Sequence, residues 1–118
     1  MYKLTVFIPD EQLESVKSAL FAAGAGQIGN YGDCCWQVKG VGQFMPLAGS
    51  QPHTGQQGHL YQDEEWRVEM VVADACLSAV IQALKSSHPY ETPAYDVIAM
   101  IDVWFASPPY IFILFKQI

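Results

Sequence analysis

The densest run of chemically capable side chains in the sequence is His88-Pro89-Tyr90-Glu91-Thr92-Pro93-Ala94-Tyr95-Asp96. A histidine beside two carboxylates has the make-up of a general acid–base or metal-binding group. Catalysis requires a base within reach of a substrate and a group that orients it. No nucleophile or oxyanion arrangement accompanies His88, Glu91 and Asp96 in the sequence. The structural alternative places His88 at the negative end of a helix, with Tyr90 and Tyr95 packing and Glu91 accepting from backbone donors. Ligand binding is the further reading. Pro89 and Pro93 each remove a donor and restrict the residue before them, so the run is a rigid connector and not helix interior.

A second connector, Gly24-Ala25-Gly26-Gln27-Ile28-Gly29, has the glycine spacing of a dinucleotide fingerprint. It follows a helical pattern instead of linking a strand to a helix, and the phosphate mechanism needs a helix N-terminus aimed at the anion. What remains there is a backbone nest for an anion or a neighbouring subunit. His53, His59 and His88 have no His-x-x-x-His spacing, and the vicinal pair Cys34-Cys35 is poor geometry for one tetrahedral ion, so neither metal nor cofactor is expected. Trp36, Trp66 and Trp104 read as core or interface aromatics. Glu65-x-Arg67-x-Glu69 reads as an ion-pair ladder along one strand face or a pair that crosses to another subunit.

The elements that must position these connectors follow from an internal repeat. Sliding the sequence by 64 positions lays Tyr2-Lys3-Leu4-Thr5-Val6-Phe7-Ile8 on Trp66-Arg67-Val68-Glu69-Met70-Val71-Val72, Asp10 on Asp74, Leu13 on Leu77, Val16 on Val80 and Leu20 on Leu84. Each copy is a strand followed by a helix, with Asp10 placed to cap the first helix and Glu11, Glu14, Lys17 and Ser18 turned outward. A further strand follows each connector, Cys35 to Lys39 in the first half and Val97 to Ile101 in the second. The order is βαββαβ, which predicts an α+β ferredoxin-like sandwich: a four-stranded antiparallel sheet with two helices on one face. Leu4, Val6, Ile8, Val68, Met70 and Val72 should face the helices, leaving the mixed odd positions on an open face available for a subunit contact. Because Gly24 and His88 fall opposite each other in the repeat, both connectors are expected to form one continuous surface.

The 118 residues are expected to hold one domain over 1–102 and a C-terminal extension over 103–118, in which Tyr110 to Phe115 has strand length and should add to a sheet edge. Hydrophobic residues make up 51% and charged ones 15%, so burial between identical subunits is expected. A net charge of -6 without clustered cations disfavours nucleic acid as a partner. Three cysteines without Cys-x-x-Cys spacing, and a first segment that reads as a strand, point to the cytoplasm. No apolar run reaches the roughly 18 residues that a membrane helix needs.

Four blocks in order carry a family resemblance: Ala22 to Tyr31, the loop pattern Gly42-x-Phe44-x-Pro46-Leu47-x-Gly49-x-x-Pro52-x-x-Gly55-x-x-Gly58, Glu65-x-Arg67-x-Glu69, and His88 to Asp96. Together they resemble the inserted domain of Nif-three-like proteins of the YqfO type, a domain that is similar to the trimeric PII signalling proteins and the CutA proteins. Nothing in the sequence matches the two-metal lobe that flanks the insert, so the hydrolase-like activity suspected for that family is not carried over. The resemblance implies that residues 41–62 are the partner- and ligand-responsive loop, with small molecules settling near its base between subunits. No Lys or Arg lies between Lys39 and Arg67 to meet a nucleotide's phosphates. The reading is therefore a non-enzymatic PII/CutA-like homo-oligomer, a trimer, that binds a small molecule or protein partner. Its candidate ligand-binding residues are Gly24, Gly26, Gln27, Gly29, Asn30, Tyr31, His88, Pro89, Tyr90, Glu91 and Tyr95. The alternatives are a metal-binding protein or metal-dependent hydrolase using His88, Glu91 and His53 or His59, and an assembly module for a separate Nif-three-like lobe.

Overall fold

A computed structural model describes residues 1–101, so the expectations for Trp104 and the 103–118 extension lie outside the described residues. The observed order is β1 (Tyr2–Pro9), α1 (Leu13–Ala22), β2 (Trp36–Phe44), β3 (Tyr61–Val72), α2 (Leu77–Ser87) and β4 (Tyr95–Ala99), with a 3-10 turn before each helix. The strands form one antiparallel sheet in the order β2-β3-β1-β4, the expected ferredoxin-like plan. The predicted inward set is fully confirmed: Leu4, Val6, Ile8, Val68, Met70 and Val72 are buried against Leu13, Val16 and Leu20 of α1 and Val80 and Leu84 of α2. Burying such a side chain contributes about 1.5–3 kcal/mol, so this layer dominates the stability of the fold.

Several local expectations are corrected. Asp10 makes no capping hydrogen bond; its Oδ1 instead accepts the Trp66 indole N–H at 2.7 Å, tying the turn before α1 to β3. Lys17 does not turn outward, since its side chain is 13% exposed and donates to Gln37 Oε1 of β2 at 2.8 Å. β2 and β3 run several residues further than their apolar cores suggest, as far as the pair Phe44 and Tyr61, whose rings stack at 5.6 Å. The connecting loop is consequently 45–60 and not 41–62. β4 begins two residues earlier than predicted because Tyr95 pairs with Val6 and packs on the core.

The register puts Trp36, Glu69, Thr5 and Asp96 in one row across the open face, and Val38, Arg67 and Phe7 in the next. Phe7, Trp36, Val38 and Ile98 remain exposed there. Arg67 bonds Glu69 at 2.7 Å, which forms half of the predicted ladder; Glu65 is not part of it.

Candidate cleft between the loop and the second connector

β1 and β3 are antiparallel, and each helix runs back along the sheet from the strand that precedes it. α1 and α2 therefore point in opposite directions, and the two connectors, although equivalent in the repeat, lie at opposite ends of the sheet. Gly26 N–H bonds Val71 O at 2.8 Å at one end, whereas the His88 ring bonds Phe7 O at 2.7 Å at the other. In the register of β1, Val71 stands opposite Lys3, four residues from Phe7, a separation of about 13 Å along the strand. The expectation of one continuous surface is thus overturned by the antiparallel path of the repeat.

The first connector is a backbone structure. Ala25 N–H bonds Leu20 O and Gly24 N–H bonds Phe21 O, the paired closure of a Schellman motif, with Gly24 at φ +111 where a left-handed residue is needed. With Gly26 N–H taken by Val71 O, the amides of Gly24, Ala25 and Gly26 are engaged within the chain and are not free to hold an anion. Gln27, Gly29, Asn30 and Tyr31 lie on a shallow exposed surface beyond it, with Tyr31 fully turned out.

The second connector is held by a side chain. His88 precedes Pro89, which disfavours helical backbone, and it leaves α2 in an extended conformation. Its imidazole is buried. Nδ1 accepts the Tyr90 N–H at 3.1 Å and Nε2 lies 2.7 Å from Phe7 O, an acceptor only, so the proton sits on Nε2 and the ring is neutral. Burial pushes the imidazole pKa down, opposed by the Phe7 bond and aided by nearby His53. With both nitrogens committed, His88 serves as a structural post. It is neither a free base nor a metal ligand, and among the described residues no group of three His, Cys, Asp or Glu side chains is arranged to hold an ion.

The post aims Tyr90 at the loop. The Tyr90 ring lies 6.1 Å from Phe44, 6.4 Å from His53 and 4.9 Å from His88. Glu91 Oε2 accepts the Gln51 N–H at 2.9 Å, which fastens the loop to the connector. The loop is also tied to itself, by Gly58 N–H to Pro46 O at 2.7 Å and Gln56 N–H to the Tyr61 hydroxyl at 2.8 Å. Between loop and connector lies a cleft of about 240 Å³ lined by Phe44, Pro46, Pro52, His53, Tyr90 and Glu91, with Glu65 entering from β3. Glu65 crosses the neighbouring strand at Gly42, where a Cβ would overlap its carboxylate. Burial, with the like charge of Asp63, pushes the Glu65 pKa up. Burial and the fields of Glu65 and Asp63 raise the Tyr90 hydroxyl to about 12.

Of the predicted ligand residues, the cleft gathers Tyr90 and Glu91, and His88 and Pro89 stand behind them. Tyr95 faces the helices from β4, and the residues from Gly24 to Tyr31 lie at the far end. Sequence reasoning missed Phe44, Glu65 and the two loop prolines as cleft residues. Gly42 was the available signal: a glycine inside a strand marks a close approach, here by the side chain on the adjacent strand.

The sheet, its two helices and the long β2–β3 loop define a protein of the CutA/PII-like fold. CutA1 from Pyrococcus horikoshii superposes with a TM-score of 0.63 at 18% identity, covering 99% of this chain and 97% of that one. The divalent cation tolerance protein (Cut A1) from Thermus thermophilus gives 0.60 at 16% identity over 95% and 93%. No protein-family model matches the chain. The sequence relationship is to a different group: the chain is 42% identical over 99 residues to a GTP cyclohydrolase 1 type 2 homolog from Mycobacterium leprae, covering 84% of this chain and 26% of that protein. A Bacillus cereus protein related to NIF3 matches at 39% identity and a TM-score of 0.73, over 86% of this chain and 26% of that one. The chain is thus similar to one domain of the Nif-three-like proteins, and spans about a quarter of the length of the curated relatives it matches.

Proposed function

We propose that the protein is a non-enzymatic, CutA/PII-like homo-oligomer, a trimer, which binds a small molecule in the cleft between the 45–60 loop and the His88–Ala94 connector. The observation that carries this reading is the braced cleft itself: three aromatic rings and two carboxylates converge on it, and its wall is fastened by the Gln51–Glu91 bond. A concave, largely preformed site with a few convergent polar groups is the usual form of a ligand pocket. The open sheet face, with Phe7, Trp36, Val38 and Ile98 exposed around the Arg67–Glu69 pair, supports self-association. The surface from Gly24 to Tyr31 is assigned to a neighbouring subunit or protein partner, with Tyr31 as its protruding aromatic. The reading places the protein in the cytoplasm without nucleic acid or membrane partners; free Cys34, Cys35 and Cys76 accord with a reducing compartment. Among the described residues no helix is long and apolar enough to cross a membrane.

Native mass spectrometry of untagged protein tests the assembly. The expected mass is that of a trimer, and Val38→Glu, which places a charge on the open face, should yield folded monomer with unchanged far-UV circular dichroism. Wild-type monomer at micromolar concentration would remove the open face from the proposal. The similarity to one domain of the Nif-three-like proteins supports a second reading, an assembly module that docks a Nif-three-like lobe. Co-purification of such a lobe from native extract distinguishes the two.

A further inference from the structure

The cleft has a definite charge preference, and from it we infer the class of ligand: a small organic cation, an amine or guanidinium carried on an apolar body. This inference rests on the ligand-binding reading above and narrows it. The walls include the rings of Phe44, His53 and Tyr90, and aromatic rings attract cations through their quadrupoles. Glu65 enters from one side and Glu91 from the other, and Glu91 spends only one oxygen on the loop. Glu65 has no hydrogen-bond or ion-pair partner among the described residues and is half-buried, an arrangement that a ligand cation would relieve. Asp63 and Glu64 line the adjoining hollow on the other side of His53 and Tyr90, which deepens the negative potential.

An anionic ligand has no counterpart. The sequence holds no Lys or Arg between Lys39 and Arg67; Lys39 is committed to Glu64 and Asp10, and Arg67 to Glu69. The volume of about 240 Å³ falls below the roughly 300–1,000 Å³ of drug-sized sites. A ligand of modest size therefore fits, with its cation between the two carboxylates and its body against the rings.

Three probes of one shape separate charge from fit: benzylammonium, benzyl alcohol and benzoate, each titrated into the full chain and followed by amide NMR shifts. Benzylammonium is expected to shift residues 44–54 and 88–94 and to bind at least tenfold more tightly than benzyl alcohol, with benzoate weakest. Glu65→Gln should bring the ammonium affinity down several-fold toward that of the alcohol and leave the alcohol unchanged, and an ammonium affinity unmoved by it would overturn the role of Glu65 in the proposal. Glu14→Gln, on the distant surface of α1, controls for net charge and should change neither. Equal binding of ammonium and alcohol, or stronger binding of benzoate, would overturn the cationic class while leaving the cleft as a ligand site. Absence of shifts in the cleft with all three probes would overturn the ligand reading with it.

Discussion

The two connectors follow equivalent helices in a repeated unit, yet one closes its helix with backbone and the other with a side chain. After α1, Gly24 and Gly26 adopt left-handed backbone and every amide of the turn finds a carbonyl within the chain, so the segment is compact and self-satisfied. After α2, Pro89 withdraws the backbone from that solution, and the imidazole of His88 bridges from Phe7 O to the Tyr90 amide instead. The 45–60 loop folds in beside this side-chain bridge, with Gln51 bonded to Glu91 and His53 near the Tyr90 ring. The repeat supplies two equal ends; the sequence spends one on closure and the other on a cleft.

Removing the bridge should therefore be the more damaging change. His88→Ala removes a buried ring and leaves a part-buried carbonyl and a part-buried amide without partners, each costing about 1–3 kcal/mol, and is expected to lower unfolding free energy in urea by several kcal/mol. Gly26→Ala comes next. Its φ of +79 is strained for any Cβ, and that Cβ would sit 2.8 Å from Cys34 O and from the Phe21 ring; the expected loss is about 1–3 kcal/mol. A glycine replacement that cost more than the histidine one would invert the comparison and make the backbone turn the principal fastening.

The fold was legible because one side of it obeys a single rule. Leu4, Val6 and Ile8 and their repeat partners Val68, Met70 and Val72 are uniformly apolar where the positions between them are mixed, and helix periodicity in Leu13, Val16 and Leu20 supplies the cover, so topology followed from pattern alone. The relation between the connectors was not legible in this way. Equivalence in the repeat was taken for proximity, but an antiparallel sheet turns equivalent helix ends away from each other. Tyr95 was misplaced for a local reason: a tyrosine beside prolines looks like a connector residue, and only its pairing with Val6 reveals an inward strand position. Glu65 looked like one rung of a ladder with Arg67, because strand alternation records which face a side chain shares and not which neighbour it reaches. Gly42 leaves the space that the Glu65 side chain crosses, so its carboxylate lies where the open face meets the cleft.

Glu65 gives the comparison its finest test, because a cleft kept for a ligand should carry a stability cost that a closed turn does not. Its folded-state pKa is raised, by burial first and by Asp63 second, above the ordinary value of 4.5. The folded protein thus holds that proton more tightly than the unfolded chain, so stability falls as pH rises through the interval between the two values. Above it the full penalty of an ionised, partly desolvated carboxylate is present; below 4.5 both states are protonated and it is gone. Glu65→Gln should accordingly raise the thermal midpoint at neutral pH, with the advantage shrinking to nothing on acidification to about pH 4. Thermal scans of wild type and variant across this range read the difference directly. An advantage that stayed constant with pH would mean that the amide stabilises by shape and not by removing charge.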